Sequence, residues 1–285
     1  MEIKSVAVIG AGTMGNGIAQ VIAASGTAVI MTDINDAGLK RGLDAIDKSL
    51  QRLVSKQKLN AGDKAALLGR IRTTTRLEDI AECDVVVEAA TENLELKLKI
   101  FADLDRIAKP AAILASNTSS ISLTRIAGST RRPAQVIGMH FFNPVPVMPL
   151  VELIRALQTS DATYRTIRTL TEKLGKSPVE VRNSPGFVGN RILLPMLNEA
   201  VYCLHEGLAT AEDIDSVMKL GMGHPMGPLA LADLIGLDTC LAILQVLYEG
   251  FKDPKYRPCL LWQEKVEAGQ LGRKSGRGFF DYGNK

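Results

Sequence analysis

Val6-Ala7-Val8-Ile9 is a wholly apolar run that ends in Gly10-Ala11-Gly12-Thr13-Met14-Gly15, and Ile18-Ala19-Gln20-Val21-Ile22 follows with helical spacing. A strand that enters a helix through GxGxxG leaves few folds open. Gly10 permits the tight turn, Gly12 lets backbone approach a pyrophosphate, and Gly15 lets the helix lie against the strand. Thr13 and Met14 complete the motif, and the N–H groups of the helix that follows aim at the anion. The next apolar run, Ala28–Thr32, ends in Asp33. At that distance a carboxylate accepts hydrogen bonds from both hydroxyls of an adenosine ribose. The charge of Asp33 repels a 2′-phosphate, and no arginine follows immediately to neutralise it, so NAD is favoured over NADP. A merely tight turn beside a loop acid is the competing reading. FAD could use the same fingerprint, but the chain has no second nucleotide motif.

Further short aliphatic runs recur at Ile71–Thr74, Val85–Glu88, Ala112–Ala115 and Gln135–Met139, after the first at Ser5–Ile9. Between runs, Gly15–Ala24, Ala37–Lys56 and Leu94–Ile107 place apolar residues three and four apart, as amphipathic helices require. Strand alternating with helix predicts an α/β fold: a doubly wound, Rossmann-type parallel sheet with both faces covered. After another strand-like stretch at Pro178–Arg182, Asn183-Ser184-Pro185-Gly186 breaks the pattern and suits a helix start. The domain boundary is therefore expected between 184 and 185, giving a dinucleotide-binding domain over 1–184 and an all-helical domain over 185–285. In the latter, Phe187–Leu204, Ile214–Leu220, Leu229–Tyr248 and Leu260–Val266 read as helical, and only Gly278–Tyr282 alternates like a strand. Arg191–Leu204 is apolar on nearly all sides, which suits a central or interfacial helix, and Pro195 is expected to kink it.

With 285 residues, 46% of them hydrophobic, the chain can bury a sizeable core. Lys and Arg total 34 against 31 Asp and Glu, a net charge of +3 that is too small to imply a nucleic-acid groove. Cys83, Cys203, Cys240 and Cys259 are scattered, without CxxC pairs or nearby histidines at ligand spacing. Reduced thiols and no metal site are the expectation. The first strand pattern begins almost at Met1, and no apolar run reaches membrane-spanning length, so a cytoplasmic protein without a membrane partner is expected.

His140 is one of three histidines, and it ends an apolar run just before Pro144, Pro146 and Pro149. Those prolines force extended or turning backbone, which can fold Glu152 back toward the imidazole. A carboxylate on one ring nitrogen fixes the tautomer and steadies the imidazolium, leaving the other nitrogen to exchange a proton. The spacing alone favours the plainer reading, a capped strand end beside a surface acid.

The motifs GAGTMG (10–15), ASNTSS (115–120), GMHFFNPVPVM (138–148), LVE (150–152), NSPGFVGNRI (183–192), HPMGP (224–228) and LGRKSGRGF (271–279) span essentially the whole chain. Together they resemble the 3-hydroxyacyl-CoA dehydrogenase family, most of all its short-chain bacterial members. The resemblance implies an NAD-dependent oxidoreductase that interconverts (S)-3-hydroxyacyl-CoA, first of all 3-hydroxybutyryl-CoA, and the 3-oxoacyl-CoA. It makes His140 the general base or acid, Glu152 its orienting carboxylate, and Ser119 and Asn190 donors to the substrate oxygen or thioester carbonyl. From the residues alone, Ser119 could be a helix-capping hydroxyl and Asn190 a polar turn.

By the same resemblance Glu92, Lys97, Ser119, Asn143 and Lys274 contact the cofactor, while Ser49, Lys56 and Ser119 contact coenzyme A. Lys48, Arg52 and Lys56 fall on one helix face, which suits CoA phosphates but equally an ordinary solvated face. The resemblance also implies a homodimer through the helical domain. Two positions depart from the family pattern: Gly189, where a larger aliphatic residue usually precedes Asn190, and Gly223, where asparagine usually precedes His224. The alternatives are a dehydrogenase of a CoA-free 3-hydroxy acid or sugar acid, and a catalytically silent NAD-binding relative. The intact set Ser119, His140, Glu152 and Asn190 argues against silence.

Overall fold

The structure is a computed structural model that describes residues 2–283. The chain divides into two compact units after Asn183, one residue before the expected boundary.

In the first unit the elements run β1 (Ser5–Ile9), α1 (Thr13–Ala24), β2 (Ala28–Thr32), α2 (Asp36–Ser55), α3 (Ala61–Gly69), β3 (Ile71–Thr74), β4 (Val85–Glu88) and α4 (Leu94–Ile107). They continue with β5 (Ile113–Ser116), α5 (Leu123–Gly128), β6 (Val136–Phe141), β7 (Leu150–Arg155), α6 (Asp161–Lys173) and β8 (Ser177–Arg182). All eight strands form one sheet in the order β3-β2-β1-β4-β5-β6-β7-β8. Chain order reverses between β1 and β4, and the crevice beyond the carboxyl ends of the strands at such a point is where a dinucleotide lies. Val6, Ala7 and Val8 of β1 and Val85, Val86 and Val87 of β4 are fully buried, so these central strands are apolar on both faces.

The sheet is not parallel throughout. β7 runs antiparallel to β6, and β8 runs parallel to β7. The short Pro-rich connection returns the chain alongside β6, whereas a parallel return needs a longer crossover. This reversal sets His140 directly opposite Glu152 across the β6–β7 pair.

The second unit comprises α7 (Gly189–His205), α8 (Ala211–Ser216), a π-helical turn at Val217–Gly221, α9 (Pro228–Ile235), α10 (Leu237–Phe251) and α11 (Leu260–Glu267). α7 runs through Pro195. Leu194, Leu197 and Val201 join Leu229, Leu244 and Trp262 in its core. The expected single stretch Leu229–Tyr248 is two helices bent by 98°, divided at Gly236, whose φ of 106° a residue with a side chain rarely adopts. Among the described residues no single helix is long and apolar enough to cross a membrane. Gly223 also has a positive φ, 71°, a conformation that asparagine tolerates better than most residues, so glycine can replace it without altering the turn.

Gly278–Tyr282 is not a strand but a loop with isolated bridges. Its backbone is captured by Asp233, only 1% exposed, whose carboxylate accepts from Phe279 N at 2.9 Å, Phe280 N at 3.0 Å and the Tyr282 hydroxyl at 3.0 Å. Asp233→Ala strands those donors. At about 1–3 kcal/mol for each unsatisfied group, it is expected to cost about 3 kcal/mol or more, read as a lowered urea midpoint. A midpoint within error of the parent excludes this anchoring role.

Candidate active site

The glycines of the β1–α1 turn are explained by what surrounds them. Gly10 has φ 98°, and a Cβ there would lie 2.8 Å from Ala89 O, the chain that leaves β4. At Gly15 a Cβ would fall 1.8 Å from Gly10 O, so nothing larger lets α1 sit on the turn. Around Gly12 there is nothing within 4 Å, which leaves its face open. No side chain caps α1, and its first turn holds no acid of its own.

Asp33 follows β2 and is fixed by two backbone donors: Ala11 N to Oδ2 and Ile34 N to Oδ1, both at 2.8 Å. Gly38 is close enough that a Cβ would meet Asp33 Oδ1 at 2.8 Å. Ala11, Gly12, Thr13, Asn16, Asp33, Gly38 and Arg41 line one hollow of about 260 Å³. An open glycine turn, an uncapped helix start and a fixed carboxylate fit the pyrophosphate and ribose of NAD. The sequence gives no sign of Arg41, because it stands eight positions beyond Asp33 and only the start of α2 brings it to the same hollow.

Farther along the carboxyl edge, β5 ends at Ser116 and β6 carries His140. His140 Nδ1 lies 2.7 Å from Glu152 Oε2, and both side chains are buried. A carboxylate accepts only if the imidazole hydrogen is on Nδ1, so the pair selects one tautomer and directs proton exchange through Nε2. The Pro-rich segment permits this contact, but the strand register produces it. Asn117, also buried, accepts from Phe141 N at 2.9 Å and ties the loop after β5 to the end of β6.

Ser119 stands in that loop. Its N–H and hydroxyl donate to Glu92 Oε1 at 2.6 and 3.0 Å, while the Thr118 hydroxyl donates to Oε2 at 2.6 Å. Glu92 thus engages the Ser119 loop with both oxygens. Lys97 departs most from its expected role as a cofactor contact. It is 1% exposed, paired with buried Glu88, and donates to Ser116 Oγ at 3.3 Å. Ser116 Oγ in turn donates to Glu88 Oε2 at 3.0 Å and accepts from Thr118 N at 3.2 Å. The lysine supports the loop from beneath instead of presenting an exposed cation. Helical spacing gives no sign of this, because both partners come from strands.

Asn143 is exposed in the loop after β6. Lys48, Arg52 and Lys56 line a concavity of about 440 Å³ with Asp47, Gln51 and Ser55; Ser49, half-buried, is not among its lining residues. In the second unit, Asn190 occupies the first turn of α7 and is half-buried. Lys274 is paired there with Asp238, at 2.7 Å from Oδ2, so its charge is already compensated within that unit. Burial opposes ionisation of Asp238, but the Lys274 hydrogen bond and the Thr239 backbone outweigh it and hold the carboxyl below its usual range.

The family described as 3-hydroxyacyl-CoA dehydrogenase, NAD binding domain, matches residues 5–184, and its C-terminal domain matches 186–282. The chain belongs to the 3-hydroxyacyl-CoA dehydrogenase family. A probable 3-hydroxybutyryl-CoA dehydrogenase of Bacillus subtilis is 55% identical over all of this chain and 99% of its own length. The 3-hydroxybutyryl-CoA dehydrogenase of Bradyrhizobium diazoefficiens is 54% identical, covering 98% of this chain and 96% of that one. The crystal structure of (S)-3-hydroxybutyryl-CoA dehydrogenase from Ralstonia eutropha superposes with a TM-score of 0.97 at 56% identity, over 99% of this chain and 100% of that chain. Family membership covers both units, and the first is the family's NAD-binding domain.

Proposed function

We infer that the chain interconverts (S)-3-hydroxyacyl-CoA and 3-oxoacyl-CoA with NAD, and that 3-hydroxybutyryl-CoA and acetoacetyl-CoA are its substrate pair. The observation that carries this reading is the buried His140–Glu152 pair on the sheet whose β1–α1 turn fits a dinucleotide. NAD, when bound, accepts the hydride from the carbinol carbon or returns it.

In the oxidative direction neutral His140 takes the hydroxyl proton through Nε2 as the carbonyl forms; in reverse the imidazolium protonates the developing alkoxide. Glu152 orients the ring and stabilises its charged form. Ser119, released from Glu92, donates to the substrate oxygen or the thioester carbonyl. For Asn190 the reading as a second donor rests on its family motif. Glu92, Asn143 and Lys274 are carried as cofactor contacts on the same ground.

The deciding experiment compares NADH oxidation with acetoacetyl-CoA and with free acetoacetate. Turnover of the thioester alone supports the reading. Turnover of the free acid points to a CoA-free hydroxy acid, and NADH binding without turnover to a silent relative.

Lys48, Arg52 and Lys56 around one concavity favour this end of α2 as the seat of CoA phosphates. Lys56→Glu is expected to raise KM for acetoacetyl-CoA about 10-fold, the size of one lost charge-assisted contact, while hardly changing KM for an acyl-pantetheine without the nucleotide. Equal changes for both exclude a phosphate role.

A homodimer through the helical domain is part of the proposal. It is supported by the exposed apolar residues Ile192, Leu208, Leu220 and Met222, which sedimentation of the intact protein would test. The proposed setting is cytoplasmic fatty acid and butanoate metabolism, in keeping with the four unpaired cysteines.

A further inference from the structure

Lys176 immediately precedes β8, is 8% exposed, and among the described residues pairs with no carboxylate. Its Nζ donates to two backbone carbonyls, Val145 O at 2.6 Å and Met148 O at 2.8 Å. The next residue adds a third bond to the same segment, Ser177 N to Pro149 O at 2.7 Å. Burial pushes the Lys176 ammonium below the usual lysine range, a penalty with no counter-charge to offset it.

The segment it holds explains why a donor is needed. Pro144, Pro146 and Pro149 have no N–H, and the Val147 and Met148 N–H groups both go to Pro144 O. The carbonyls of Val145 and Met148 therefore need donors from elsewhere in the chain, and a buried carbonyl left without one is costly. Val145 also presses on α1 at Gly17, where a Cβ would lie 2.8 Å from Val145 Cβ. The loop is thus held by both the buried ammonium and the helix that begins at the dinucleotide turn. It also carries Asn143.

We propose that Lys176 is a positioning residue for the cofactor: by binding the Val145 and Met148 carbonyls it fixes the 143–149 loop against α1 and sets Asn143 for the nicotinamide half of NAD. This rests on the reading of Asn143 as a cofactor contact. The His140–Glu152 pair is held separately, by strand register. The strap therefore acts on cofactor affinity and not on proton transfer.

NADH affinity, followed by fluorescence titration, and the pH–rate profile at saturating NADH test this. Lys176→Met is expected to weaken NADH binding about 10-fold, each tenfold being about 1.4 kcal/mol, with an unshifted pH–rate profile. Lys176→Arg, which keeps charge and donors, is expected to recover most of that loss. Gly17→Ala disturbs Val145 from α1 and is expected to weaken NADH binding in the same way; it carries the test if Lys176→Met does not fold.

A folded Lys176→Met or Gly17→Ala enzyme with parental NADH affinity overturns the proposal. Asn143→Ala separates the two layers. Weakened binding there with none in Lys176→Met removes the strap and leaves the cofactor reading standing; parental binding in both removes the loop from the cofactor site altogether.

Discussion

His140→Gln is expected to lower turnover by about 10²-fold or more, the usual contribution of a positioned acid or base, while the protein stays folded and binds NADH. Glutamine fills much of the same volume and can hydrogen-bond to Glu152, but it cannot accept and return a proton. Glu152→Gln tests the other half of the pair. It keeps an acceptor oxygen opposite Nδ1 at the position now 2.7 Å away but removes the charge that steadies the imidazolium. Its expected loss is smaller, and turnover should still depend on the histidine. Steady-state NADH oxidation with acetoacetyl-CoA, with circular dichroism to establish folding, gives both values. Near-parental turnover by folded His140→Gln would falsify the assignment of His140 as the proton carrier.

Most of the first unit is readable because its central strands β1, β4, β5 and β6 are aliphatic runs buried on both faces, and burial on both faces leaves a continuous apolar signature. The sequence patterns at Val85–Glu88 and Leu94–Ile107 coincide with β4 and α4 to the residue. Direction leaves no such mark. Nothing in the period of Leu150–Arg155 says that it runs against β6, yet that reversal pairs His140 with Glu152. Long-range polar contacts were equally hidden. The alternation at Gly278–Tyr282 looks like a strand until Asp233, some 46 positions earlier, claims its N–H groups. Lys97 looks like a surface cation on a helix until Glu88 and Ser116 close around it. Lys176 gives no local sign of its burial, since its acceptors lie 28 and 31 positions away. Motif residues were legible where chemistry depends on local backbone, as at Gly10 and Gly15, and obscure where a side chain is claimed from across the fold.

Asp33→Ser is expected to narrow the preference for NAD over NADP by about 10²-fold, since each hydrogen bond to a charged group contributes about 1.5–3 kcal/mol and repulsion of a 2′-phosphate is removed as well. In the parent the carboxylate is held by Ala11 N and Ile34 N, which leaves further acceptor capacity on its oxygens for ribose hydroxyls. Serine retains a short acceptor near those donors but no charge. What remains charged in the hollow is Arg41, exposed, with no side-chain hydrogen bond or ion pair among the described residues. An arginine suits a 2′-phosphate. Two contributions should therefore separate: efficiency with NAD falls because the ribose acceptor is lost, and efficiency with NADP rises because Arg41 is no longer opposed by Asp33. Arg41→Ala in the Asp33→Ser background should abolish the rise without restoring NAD. Steady-state kcat/KM for both cofactors in the parent, Asp33→Ser, Arg41→Ala and the double variant gives the coupling directly. An unchanged preference in Asp33→Ser would remove Asp33 from the ribose site, whereas a changed preference that ignores Arg41 would leave Asp33 in place and assign discrimination to its charge alone.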